Sequence, residues 1–167
     1  MIRSVTSKSE DKRRRNAILK AWLIAGTLDI TSAFIYYYIK TGKDPVNVLS
    51  GVAGVVLGKG LSIKLVPEHE NVMQVCGLLF HYMIALAWTL IFFQVFPKLK
   101  LQNKNKIVTG LVYGVCIWLV MNLVMIPLYT MNWPVFHAQS VIINTLILMV
   151  MVGLPISIII NKYYTRK

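Results

Sequence analysis

Four apolar runs, each long enough to cross a lipid bilayer, constrain this chain more than any other feature in it. A hydrocarbon core about 30 Å thick takes about 20 residues at a helical rise of about 1.5 Å. The runs Ile18–Ile39, Val72–Phe96, Ile107–Tyr129 and Ser140–Ile160 all reach that length. Lys20 and Asp29 interrupt the first, and Pro97 is expected to stop the second. With 167 residues, 56% of them hydrophobic and 14% charged, the chain holds more apolar material than one soluble core of this size would hide. Lipid is the expected solvent.

The fold class expected is all-α: a single polytopic membrane domain over 1–167, with four transmembrane helices and a basic cytoplasmic tail at 1–17. Between the first two spans, Val46–Leu57 is apolar but too short to cross. It is entered through Asp44-Pro45, an N-cap residue followed by a proline at the first helical position, which predicts a short helix over about 45–58. Its glycines and the lysines after it, Lys59 and Lys64, fit a helix lying in the interface or dipping partway in.

Charge placement predicts the orientation. The chain carries a formal net charge of +12, which in a soluble protein would raise nucleic acid as a partner. Here the basic residues fall in short segments between apolar runs, so anionic lipid headgroups are the expected partner and nucleic acid is not. Fourteen Lys and Arg lie in the N-terminal segment, the 97–106 loop and the C-terminal tail; Lys40, Lys43, Lys59 and Lys64 are the four on the other face. The positive-inside rule then puts both termini in the cytoplasm. Tyr36, Tyr37, Tyr38, Tyr129 and Trp133 fall near the outer boundary, and Trp22, Tyr163 and Tyr164 near the inner one. The first run is too long for a secretory signal and lacks an A-x-A cleavage site, so it is expected to be retained.

Asp29 is the polar residue that most needs an explanation. At the middle of a spanning helix an acidic side chain costs about 2.5–3.5 kcal/mol on insertion scales. His81 and Asn122 fall at similar depth in the second and third runs, offset by about 5 Å along the helix axis, within side-chain reach. The three are the candidate intramembrane polar site. One reading makes Asp29 and His81 a proton-relay or cation site, pairing an acceptor with a group that titrates near neutrality. The other makes them interhelical glue, with Asp29 bonded to His81, Asn122, Thr31 or Ser32.

Gly110 and Gly114, and Gly54 and Gly58, repeat the small-xxx-small spacing that lets helix backbones approach, within the chain or in a homodimer. Pro127 and the Gly153-Leu154-Pro155 triplet predict a kink or hinge in the third and fourth spans. Cys76 and Cys116 lie inside apolar runs without CxxC spacing and are expected to behave as small hydrophobes. GVVLGKGLS at 54–62 lacks phosphate-loop spacing, with Gly60 where a magnesium-binding hydroxyl belongs. His69 between Glu68 and Glu70 is best explained by a solvated loop, with His137 remote. No metal, cofactor or catalytic constellation is visible, and a non-enzymatic protein is expected.

Taken together, AGTLDI around Asp29, the glycine-rich short helix, GLLFHYMIA with His81, GLVYGVCIWLVMNLVMIPL with Asn122 and Pro127, and GLPISIII resemble a family of small uncharacterised bacterial four-helix inner-membrane proteins. The likeness covers nearly the whole chain. It implies a bacterial cytoplasmic membrane location and puts Asp29, His81, Asn122 and Pro127 within the family's motif segments, but it implies no activity. Two functional classes remain: a protein that moves a proton, cation or small solute past Asp29 and His81, or an accessory subunit that binds a membrane partner or lipid. A membrane-embedded enzyme has the least support in the residues.

Overall fold

The computed structural model describes residues 2–58, 70–131 and 137–165, with the backbone alone at 2–7, 129 and 130. Lys59, Gly60, Lys64, the Glu68-His69 pair and Trp133 therefore lie outside the described residues, as does the GVVLGKGLS run beyond Gly58. Among the described residues the chain is helical, with no strand. Four helical stretches are long and apolar enough to cross a membrane: Lys8–Thr41, Glu70–Lys98, Lys106–Leu128 and Ala138–Thr165.

The first span belongs to α1, Ile2–Thr41, and a second, short helix follows as α2, Asn47–Leu57. The next span is α3, Glu70–Lys98. The third span comprises α4, Lys106–Val120, a π-helical segment Met121–Met125, and α5, Ile126–Thr130. The fourth comprises α6, Ala138–Ile147, a π-helical segment Leu148–Gly153, and α7, Leu154–Thr165.

Three expectations about the elements change. The basic segment before the first apolar run, expected as a tail at 1–17, is helical and continuous with the span in α1, which begins at Ile2. Lysine and arginine are good helix formers and no glycine or proline separates them from the span, so the helix extends into them. Pro97 stands inside α3, one residue before its end, so helix ends after the proline and not before it. The third and fourth spans stay helical through their prolines, each of which follows a π turn. Proline offers no N–H to the carbonyl four residues back, and a π segment accommodates the missing bond by widening the helix. Ile126 N–H donates to the Met121 carbonyl and Leu154 N–H to the Met149 carbonyl, both across five residues.

α2 begins two residues beyond its expected start. Its N-cap is Val46 and not Asp44, which instead closes the turn before the helix, one carboxylate oxygen accepting from Val46 N–H at 3.0 Å and its carbonyl from Asn47 N–H. At the other end Gly58 takes φ +78° and its N–H returns to the Gly54 carbonyl. Gly58 therefore ends the helix, and among the described residues nothing lies within 4 Å of where its Cβ would be. It is a C-terminal cap and not half of a packing pair.

The spans are antiparallel and their ends meet in two groups. At one end Arg14 of α1 lies 5.3 Å from the ring centre of Phe93, and the Tyr164 hydroxyl donates to the Phe93 carbonyl. Ser157, fully buried in α7, donates to the Lys106 carbonyl at 2.7 Å, tying the fourth span to the start of α4. The N-terminal basic cluster, the 97–106 loop and the end of α7 thus share one end of the bundle. At the opposite end Lys40 Nζ donates to Ser140 Oγ at 2.8 Å, joining α1 to α6.

The packed core sits toward the basic end. Phe92, Phe93 and Phe96 from α3 interlock with Ala21 and Ala25 of α1 and with Ile156 and Ile160 of α7. Outside this core the helices present large apolar side chains to their surroundings: Ile39, Leu79 and Met83 are 76%, 61% and 64% exposed. Only 11–22% of each span's most apolar window is buried inside the protein. Surface of that composition belongs against hydrocarbon chains, where burial no longer drives helix association and close packing with hydrogen bonds takes over.

Candidate functional site

Next to the aromatic core, the helices line a partly open cavity of about 240 Å³. All five structural units reach it: Asp29 from α1, Val48 and Val52 from α2, His81 from α3, Met121 from the third span, and Leu148 and Val152 from the fourth. Ala25, Ile117 and Val152 belong to both core and cavity, so the packed core forms its floor.

Asp29 reaches this position through a local pattern in α1. Ala21, Ala25, Asp29 and Ala33 recur every four residues, one stripe down one helix face. Ala21 and Ala25 are 0% and 1% exposed, so the stripe is the inward face, and Asp29 stands on it one turn beyond the core. Small neighbours leave the carboxylate unobstructed on the cavity side.

His81 lines the same cavity as Asp29, from α3. Its Nε2 lies 2.9 Å from the carbonyl oxygen of Gly26. A carbonyl only accepts, so Nε2 carries the hydrogen and the lone pair of the neutral ring falls on Nδ1. The ring is held edge-on to Tyr82, with centroids 5.5 Å apart. Tyr82 is itself fixed twice: its carbonyl accepts from Trp22 Nε1 at 2.7 Å, and its hydroxyl lies 2.9 Å from Thr27 Oγ1. The bond through Nε2 and the packing on Tyr82 together set the orientation of the imidazole.

Gly26 makes this seam possible. A Cβ there would meet the Tyr82 ring at 3.1 Å, and its carbonyl is the acceptor for His81. Neither Gly26 nor the alanine stripe was singled out by the glycine spacings in the sequence, which drew attention to Gly110, Gly114, Gly54 and Gly58. The signal was the four-residue recurrence of small residues passing through Asp29.

Asn122 corrects the expected triad. Its Nδ2 donates to the Trp118 carbonyl at 3.0 Å, one turn back on its own helix, and it is not among the residues lining the cavity. It stands in the π segment, where widening turns side chains away from an ideal helix register. Thr31 and Ser32 likewise donate to the Thr27 and Leu28 carbonyls of their own helix. Three of the four partners expected to glue Asp29 to its neighbours are thus spent on local backbone, leaving His81.

The other candidate residues serve the bundle around the cavity. Gly110 and Gly114 pack within the chain: a Cβ at Gly110 would stand 2.8 Å from the Gly153 carbonyl oxygen, and one at Gly114 would collide with the backbone of Met149. Gly153 is pressed in return against the Gly110 carbonyl, so it is a contact glycine as well as part of a π turn. Pro127 and Pro155 are the second residues of α5 and α7. Gly77, unremarked in the sequence, lets α2 cross α3 with the Leu49 carbonyl where a side chain would be. Among the described residues no group of three or more His, Cys, Asp or Glu is placed to hold a metal ion.

Compared with known proteins, the chain matches no family model, no curated protein and no solved structure.

Proposed function

We propose that this is a multi-pass protein of the bacterial cytoplasmic membrane that moves a proton or a small cation past Asp29 and His81. The observation that carries the reading is the presence of these two side chains, from different spans, in the lining of one cavity. Both termini are cytoplasmic in this proposal, on the strength of the fourteen-to-four division of basic residues in the sequence and the meeting of the N-terminal basic cluster, the start of α4 and the end of α7 at one end of the bundle.

Size narrows the cargo. Sites for drug-sized ligands occupy about 300–1,000 Å³, whereas one water takes about 30 Å³ of liquid volume. A cavity of about 240 Å³ suits a few waters around the acid and the imidazole better than a bulky solute. In the step proposed, a proton passes between the Asp29 carboxylate and His81 Nδ1, directly or through one water. Nε2 keeps its hydrogen on the Gly26 carbonyl throughout. Met121, Leu148 and Val152 bring the two π turns to the cavity wall, so the spans that must yield for alternating access are those with the least regular hydrogen bonding.

Reconstitution in liposomes carrying an internal pH dye tests this. Asp29→Asn is expected to reduce proton flux to that of protein-free vesicles while the protein remains folded and inserted. Flux equal to that of the unmodified chain would remove Asp29 from the pathway. The accessory-subunit reading has one observation in its favour, the purely structural bond of His81 to Gly26. It expects no flux from either form and a stoichiometric partner on gentle purification.

A further inference from the structure

A second concavity lies on the outside of the bundle, between α3 and α4 at the basic end, with a volume of about 590 Å³. We propose that it binds one acyl chain of an anionic phospholipid, with the headgroup phosphate on Lys104. The inference is independent of proton movement past Asp29 and His81.

Its walls are apolar: Ile91, Val95 and Leu99 on α3 and the residues after it, and Val108, Val112 and Cys116 on α4. Ile91, Val108 and Val112 are 46%, 56% and 55% exposed, so the groove opens sideways to the surroundings of the bundle. Its deep end is closed by Tyr113, whose hydroxyl donates to the Trp88 carbonyl at 2.6 Å and whose ring lies 4.6 Å from that of Phe92. The mouth is polar, formed by Lys104 and Asn105. From Asn105 to Cys116 the groove follows α4 for about 16 Å at about 1.5 Å per residue. Half of a hydrocarbon core about 30 Å thick is about 15 Å. The groove therefore runs the depth of one leaflet, from the headgroup level to the midplane.

Charge and length select the occupant. Residues 97–106 hold Lys98, Lys100, Lys104 and Lys106 and no Asp or Glu, so the mouth is positively charged. Asn105 Oδ1 is engaged by Ile107 N–H at 2.8 Å as the cap of α4, which makes the Lys104 ammonium the charged donor at the opening.

The test is mass spectrometry of the intact protein released from detergent micelles supplied with phosphatidylglycerol or with phosphatidylcholine of identical chains. One phosphatidylglycerol per chain is expected to survive release, and Val112→Trp, which fills the groove from an exposed position, is expected to lose it. Lys104→Gln, a surface change, should lower the preference for phosphatidylglycerol over phosphatidylcholine about fivefold. In a Cys76→Ala background, added phosphatidylglycerol should slow maleimide labelling of Cys116, which gives a reading even if Val112→Trp does not fold. Equal retention of the two lipids, retention undiminished in a folded Val112→Trp, or labelling of Cys116 unchanged by lipid would each overturn the proposal. A dimer that Val112→Trp dissolves, with no lipid retained, would assign the groove to a second copy.

Discussion

The α1–α3 seam and the seam between the third and fourth spans solve the same packing problem in opposite ways. Along the first, side chains reach across to carbonyls: His81 to Gly26 and Trp22 to Tyr82, with Tyr82 also meeting Thr27. Along the second, backbone lies against backbone, with Gly110 and Gly114 receiving the main chain of residues 148, 149, 153 and 154. Glycine contact admits no polar side chain between the helices. Hydrogen-bonded contact needs room for side chains, and that room continues into the cavity beside Asp29. The cavity's acid and imidazole both come from the first seam, while the third and fourth spans contribute apolar wall such as Met121 and Val152. A membrane bundle can in this way be close-packed along one seam and chemically equipped along another.

Unequal responses to mutation are the sign of that division. The largest effect is expected for Gly114→Leu, because the new side chain meets the Met149 main chain, which cannot swing aside as a rotamer can. A loss of about 3 kcal/mol or more follows from overpacking of this kind, seen as aggregation on size exclusion or a collapse in Tm in detergent. Next comes His81→Ala, which removes the bond to Gly26 and should cost about 1 kcal/mol, within the span measured for hydrogen bonds between membrane helices. Trp22→Phe removes the bond to the Tyr82 carbonyl but keeps most of the ring packing, and about 0.6 kcal/mol is expected. Smallest is Tyr82→Phe, which frees Thr27 Oγ1 but keeps the ring over Gly26; a few tenths of a kcal/mol is the expected change in thermal unfolding. If Gly114→Leu were no worse than Trp22→Phe, the two seams would not differ as described.

Much of the architecture was legible before any coordinates. Bilayer arithmetic located the four spans, and the Asp44-Pro45 entry marked α2 to within two residues, because these depend on local composition and chain length. The candidate site was legible only in part. Asp29 and His81 could be matched by depth, but depth does not say which way a side chain points. Asn122 matched equally well and turned back to Trp118 instead. Rotation about the helix axis decides such cases, and a π turn changes that rotation locally. Gly58 shows the same limit, since its spacing from Gly54 fits a packing pair but its positive φ makes it a stop. The alanine stripe through Asp29 was present in the sequence and would have fixed the inward face of α1.

By itself the sequence determined the medium and the number of crossings: an apolar run of 20 residues has few alternatives to a helix in lipid, and that outcome needs no knowledge of neighbours. Tertiary structure alone decided which polar residues meet, where the backbones touch and where they leave space. Those outcomes depend on helix rotation, on crossings such as Gly77 with Leu49, and on glycines too small to announce their partners.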